Sequence, residues 1–236
     1  MKMRRKFQAI VAISVAMGYS AGAQVMTTSL VATADTRIGG SLTQTNINHG
    51  GADQMLVGNH STLGKLHGLL RFDLSSLGTN IVINSVTLQM NKPQAGVGSA
   101  FTVNIYELST ANASWVEGTA TGQAQAGSAT WDSKGPSAWA GSGGASTAGT
   151  DYINTVLASY GGTTAAGDAA FISEAAFLTA VSNNAGGSLN LGIAINNSAS
   201  GSYYRFATDE HATAAAPVLV IEYSDPPKRL GLFILY

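Results

Sequence analysis

The 236 residues carry 12 lysines and arginines against 13 aspartates and glutamates, and only 11% of the chain is charged, less than half the usual share of about 25%. Cysteine is absent and glycine occurs 28 times. This excludes thiol catalysis, cysteine-ligated zinc and a small disulfide-stapled scaffold, and leaves a turn-rich chain long enough for one sizeable core.

The first predicted element is a leader. Lys2, Arg4, Arg5 and Lys6 precede an apolar run over residues 7–17, and Ala21-Gly22-Ala23 supplies a small-residue cleavage signature. That order is a secretory signal peptide over residues 1–23, with a mature chain starting at Gln24 and a secreted or cell-surface location. Without the four basic residues of the leader, eight basic residues face 13 acidic ones, a charge of −5. An acidic chain without a basic stripe argues against a nucleic-acid partner. It also disfavours acidic polysaccharides, unless calcium bridges the two.

Residues 24–225 then read as one domain dominated by period-2 segments. In GLLRFDLSSL (68–77), Leu70, Phe72 and Leu74 share one face while Leu69, Arg71 and Asp73 share the other. In SVTLQM, Val86, Leu88 and Met90 alternate with Ser85, Thr87 and Gln89, and FTVNIYEL alternates about Phe101, Val103 and Ile105. Residues 118–150 are rich in Gly, Ala, Ser and Thr and lack periodicity, so they read as a long loop. Trp115-Val116-Glu117-Gly118 and Thr130-Trp131-Asp132 read as strand fragments flanking it. Residues 173–183 place Phe177, Leu178 and Val181 at helical spacing behind Ser173 as N-cap, which predicts one short helix. LNLGIAIN, YYRFAT and PVLVIEY supply further strands, with turn signals at 48–51, 92–93 and 196–198. Residues 226–236 form a tail whose apolar run, 230–236, is too short to span a bilayer. The pattern predicts an all-β fold: an antiparallel β-sandwich of jelly-roll type with wet outer faces and one short helix.

Chemistry-bearing motifs are sparse. His49, His60, His67 and His211 form no HExxH and read as loop and surface residues, and no G-x-S-x-G elbow occurs. Asp209 and Glu210 are adjacent, which on a strand would send them to opposite faces. No catalytic residue is assigned. The only tryptophans, Trp115, Trp131 and Trp139, lie in the loop-rich centre. Exposed aromatic faces stack on sugar rings while a neighbouring carboxylate such as Glu117 accepts hydroxyl hydrogens; buried, the same rings simply fill a core. Tyr203, Tyr204 and Arg205 form a second such group. Asp35, Asp53, Asp132, Asp151 and Asp209 are candidate calcium ligands by type alone, without EF-hand spacing. No cofactor is called for beyond such a structural calcium, and its ligands stay unassigned.

The order of certain pieces carries a resemblance. ADTRI (34–38), the turn at 48–51, MLVGN (55–59), GLLRFDLSSL, INSVTLQM (83–90), VNIYEL, SWVEGTATW-like pieces split by an insertion (114–121 and 130–131), RFATDEH (205–211) and PVLVIEY (217–223) follow one another. The series resembles the DNRLRE domain family, close to carbohydrate-binding module family 96, over nearly all of residues 30–224. The resemblance implies a β-sandwich of secreted and cell-surface proteins that is not itself catalytic. It also implies a polysaccharide partner, alginate in some relatives. The recurrent residues look structural, so Arg71 is expected to pair with Asp209 or Glu210. Two functional readings follow: a polysaccharide-binding module, or a structural and adhesive envelope protein without a soluble glycan ligand. A lyase or hydrolase would need convergent carboxylates in a groove.

Overall fold

A computed structural model describes residues 24–195 and 201–226. The expected leader, the 196–198 turn and the tail beyond Pro226 lie outside the described residues. In chain order the strands are β1 (Val25–Val31), β2 (Ala34–Gly39), β3 (Ile47–Asn48), β4 (Gln54–His60), β5 (Gly64–Asp73), β6 (Val82–Lys92) and β7 (Val103–Glu107). There follow β8 (Gln123–Ala124), β9 (Ala158–Tyr160), β10 (Gly167–Ala170), β11 (Ile172–Ser173), the helix α1 (Ala175–Asn184), β12 (Ser188–Ile193), β13 (Tyr203–Ala207) and β14 (Val218–Ser224).

One sheet has the order β1-β14-β6-β10. The other runs β11-β9-β7-β12-β5-β4-β13, with β2 also paired to β5. The described strand pairs are antiparallel, and the fold is an all-β sandwich with one helix. β1 closes the first sheet in the register Val25↔Ser224 to Val31↔Val218.

Alternation decides which residues meet between the sheets. Val86, Leu88 and Met90 of β6 and Leu219 and Ile221 of β14 face Leu70 and Phe72 of β5 and Leu189, Leu191 and Ile193 of β12 across one core. Ile83 joins them although it is an odd number of residues from Val86. A register shift between Glu222 and Tyr223 accommodates this, since an extra residue in one strand resets its alternation. At one end of this core the buried Lys92 ammonium donates to Tyr160 Oη at 2.6 Å and to the Thr163 carbonyl at 2.7 Å.

The helix begins one residue later than the sequence suggests, with Glu174 rather than Ser173 at its N-cap position. Ser173 is in β11, where its hydroxyl donates to the Val86 carbonyl, and Glu174 precedes the first turn. Phe177, Ala180 and Val181 seat the helix on the main core.

The expectation of a wet outer face fails for the larger sheet. Leu69, on the face of β5 opposite Leu70, is fully buried. It joins a second core with Ile38, Tyr106, Leu108, Trp115, Trp139, Tyr152 and Ile195. Residues 108–152 fold over this face and exclude water from it. They contain little regular structure: the expected fragments at 115–118 and 130–132 are not strands, though the Val116 N–H donates to Lys134 and the Ala129 N–H to Val116. Ala194, at φ 59°, breaks the alternation of β12 and sends Ile195 over Gly192 into the second core. A Cβ at 192 would fall 2.0 Å from Ile195 Cδ1, so that packing requires glycine.

Asp151 holds the covering segment. Its Oδ1 accepts from Asn112 Nδ2 at 2.9 Å and Gly141 N–H at 2.7 Å; its Oδ2 accepts from Ser142 and Thr147 N–H, each at 2.9 Å. Burial pushes the Asp151 carboxyl up, but these donors outweigh it and hold the carboxyl below the ordinary range.

Candidate functional site

Four acidic side chains that the sequence scatters come together. Asp35 lies in β2, Glu117 in the covering segment, and Asp209 and Glu210 in the turn after β13. One carboxylate oxygen from each lies within 4.8 Å of the others. Asp35 is fully buried, Glu117 half-buried, and Asp209 and Glu210 exposed. Because Asp209 and Glu210 sit in a turn, adjacency does not send them to opposite faces as it would on a strand.

The backbone fixes this convergence. The Asp35 N–H donates to Glu117 Oε1, and the Asp209 N–H donates to Asp35 Oδ2 at 2.9 Å. Asn48 then clamps the Glu117 segment. Its amide donates to the carbonyls of Glu117 and Ala129, and its Oδ1 accepts from the N–H groups of Gly50 and Ala120. A Cβ at Gly50 would lie 2.4 Å from the Glu117 carbonyl oxygen and one at Gly51 2.3 Å from that of Thr119. The Asn-His-Gly-Gly turn can approach the 117–119 backbone only as glycine.

Crowding of like charge in a dry place favours the neutral acid. Burial, with Asp209, Glu210 and Glu117 beside it, pushes the Asp35 carboxyl up to about 8, although the Asp209 N–H pulls it down. Burial pushes Glu117 up to about 7; Asp209 adds to this, while the Asp35 N–H and Arg71 oppose it. Glu210 rises to about 7 by burial and by its neighbour Asp209. Chemically, such a group either shares protons or holds a hard cation.

Arg71 does not pair with Asp209 or Glu210. Its Nε donates to Asn190 Oδ1 at 2.9 Å, its Nη2 to the carbonyls of Ala113 and Trp115, and its guanidinium lies 4.6 Å from the Trp115 ring centroid. It is a strut between β5 and the covering segment. Asp73 is exposed and accepts from the Ser75 N–H.

The aromatic candidates divide. Trp115 is 1% exposed, with Nε1 donating to Asn190 Oδ1 at 3.0 Å; Trp139 is 5% exposed and donates to the Thr130 carbonyl at 3.0 Å. Both are members of the second core and present no face to a sugar. Tyr204 is likewise buried, in the main core, its hydroxyl donating to the carbonyls of Phe101 and Gly162. Trp131 keeps partial exposure, packed against Gly40, Gly143 and Gly144 and 4.8 Å from the His67 ring. Tyr203 and Arg205 share the other face of β13. Arg205 Nη2 donates to Tyr203 Oη at 3.0 Å and Nη1 to the exposed Gln94 at 2.9 Å, and His60 lies 5.0 Å from the Tyr203 ring. Tyr203 is itself buried, 6% exposed, so the surface of this group is the half-exposed Arg205 and His60 and the exposed Gln94, with the Tyr203 side chain packed against them.

Among the aspartates, Asp35 and Asp209 converge, whereas Asp151 is saturated by N–H donors that would repel a cation. Asp53 acts on Arg37 and Asp132 is exposed. Two histidines are not surface residues. His67 is buried, its ring N–H at Nδ1 donating to the Gly144 carbonyl at 2.8 Å, and burial pushes it down to about 4. His49 is also pushed to about 4, by burial and by Arg37, whose Nη2 lies 3.2 Å from its Nδ1.

Residues 26–136 match the model of carbohydrate-binding module family 96. No curated protein matches the chain. The matched stretch includes Asp35, Arg71, Trp115, Glu117 and Trp131; the Tyr203–Arg205 group and the 209–210 turn lie beyond it.

Proposed function

We propose that the protein is a secreted or cell-surface module, non-catalytic, that binds polysaccharide. The observation that carries this reading is the match of residues 26–136 to a carbohydrate-binding family. The signal-peptide composition of residues 1–23 supports the location. The reading places ligand contact on Arg205 and His60, with Gln94 at their edge and buried Tyr203 orienting the Arg205 guanidinium. A guanidinium, an imidazole and an amide together donate and accept hydrogen bonds at several positions of a sugar ring. Of the three tryptophans, Trp131 is the one that keeps solvent access. Buried Asp35 is out of reach of a glycosidic bond, which favours a non-catalytic role for the carboxylates.

Affinity electrophoresis of the purified protein against neutral and acidic polysaccharides, alginate included, tests this. Saturable retardation that Arg205→Ala weakens at least tenfold, with an unchanged melting temperature, supports the reading and its location. Binding unaffected by Arg205→Ala but lost in Trp131→Ala would move the contact to the covering segment. No retardation on any polysaccharide would favour the structural and adhesive envelope role.

A further inference from the structure

We propose that Asp35, Glu117, Asp209 and Glu210 hold one divalent cation of the calcium class, with the buried Asp35 carboxylate as its anchor. Clustered acidic residues alone would not carry this, because exposed carboxylates gather without ligands. The second observation is Asp35 itself. Its side chain is fully buried, and its Oδ1 atom has no hydrogen-bond partner, although it sits among three other carboxylates. A buried acceptor left unpaired is costly and rare in folded proteins. Among the described residues no lysine or arginine acts on Asp35 or Glu210, and the one that acts on Glu117 is Arg71, whose Nε and Nη2 already donate to Asn190, Ala113 and Trp115. A cation supplies both the missing partner and the missing charge.

The donor set specifies the ion class. All four ligands are carboxylate oxygens, which select a hard cation over zinc or copper. Oxygens on opposite sides of a calcium ion, at about 2.4 Å each, lie about 4.8 Å apart, and these four fall within that diameter. Calcium accepts irregular ligand geometry and completes its shell with water, here from the side of exposed Asp209 and Glu210. The consequence is architectural. The ion would tie β2, the covering segment at Glu117 and the turn before β14 at one point. The proposal does not rest on the glycan-binding reading.

Terbium, a hard trivalent stand-in for calcium, gives the direct test, with Trp115, two residues from Glu117, as the expected sensitiser of its emission. The parent protein is expected to show one saturable site that calcium displaces. Calcium in place of chelator should raise the melting temperature by on the order of 5 °C. Asp35→Asn should abolish sensitised emission and the calcium shift. Glu210→Gln, at an exposed turn where folding is not at risk, should weaken calcium at least tenfold. Absence of terbium emission and of a calcium shift in the parent would overturn the proposal and leave protons to neutralise the cluster. So would Glu210→Gln and Asp35→Asn binding calcium as the parent does. If Asp35→Asn fails to fold, Glu210→Gln decides alone.

Discussion

The two cores of this molecule are built on different rules. Between the sheets, aliphatic and aromatic side chains at period-2 positions meet across a gap, and many residues share the work. Over the outer face of β5, tryptophans and tyrosines are set in place by single polar residues: Asp151, Asn112, Asn48, and the Arg71–Asn190 pair. The first core is specified by pattern and tolerates repacking at similar volume. The second is specified by hydrogen-bond geometry, so one lost acceptor strands several donors at once.

The largest expected effect is in the first core. Phe72→Ala should cost about 4 kcal/mol, read by denaturant unfolding as one transition that strips protection from both sheets together. A loss confined to residues 108–152 would erase the distinction between the cores.

The second core should answer to pH. His67 is neutral in the fold at about 4, against an ordinary 6.5. Its contribution is therefore complete above about pH 6.5 and is lost as pH falls toward 4, because the unfolded chain takes up the proton first. The swing is about 3 kcal/mol at its limit. The groups facing it are the Lys65 ammonium, the Gly144 carbonyl and the Trp131 ring. His49 has the same sign, and the raised carboxylates the opposite one, so the readout is the difference between parent and His67→Gln. That difference should shrink between pH 7 and pH 4.5; one that stays constant would show that His67 does not titrate with folding.

Asp151→Ala should cost about 3 kcal/mol by stranding four donors. Hydrogen exchange should quicken in residues 108–152 before the sheets, and equal quickening everywhere would merge the two cores into one unit. Arg71→Leu is the gentler cut. It should cost about 1–2 kcal/mol, by freeing Asn190 and two carbonyls, and leave glycan binding intact. Loss of glycan binding by a folded Arg71→Leu would make the strut part of a ligand site.

The same contrast explains what the sequence disclosed. Val86, Leu88 and Met90 announce β6 because burial on one face leaves a local two-residue rhythm. Burial on both faces of β12 is also written there, in Gly192, but it reads as ordinary alternation until something is known to cover it. The covering segment has no rhythm, because its partners are distant. Trp115 is held by Asn190, 75 residues away, and its burial is invisible locally. The carboxylate group spans 82 residues from Asp35 to Glu117 and 174 from Asp35 to Asp209. Each acid sits in a recognisable piece, ADTRI, WVEG and TDEH, but no spacing rule joins them. Arg71 shows the same limit: charge complementarity suggests Asp209 or Glu210, whereas packing gives it an amide and carbonyls.

Val25 pairs with Ser224, so both ends of the described fold leave from the same end of the β1–β14 ladder. A pull on those ends loads the hydrogen bonds one pair at a time, as in opening a zipper, rather than all seven pairs in shear. β1 is an edge strand with alternate side chains in solvent, so it peels first and at low force. The remaining strands, and both cores behind them, bear load only once β1 has come away.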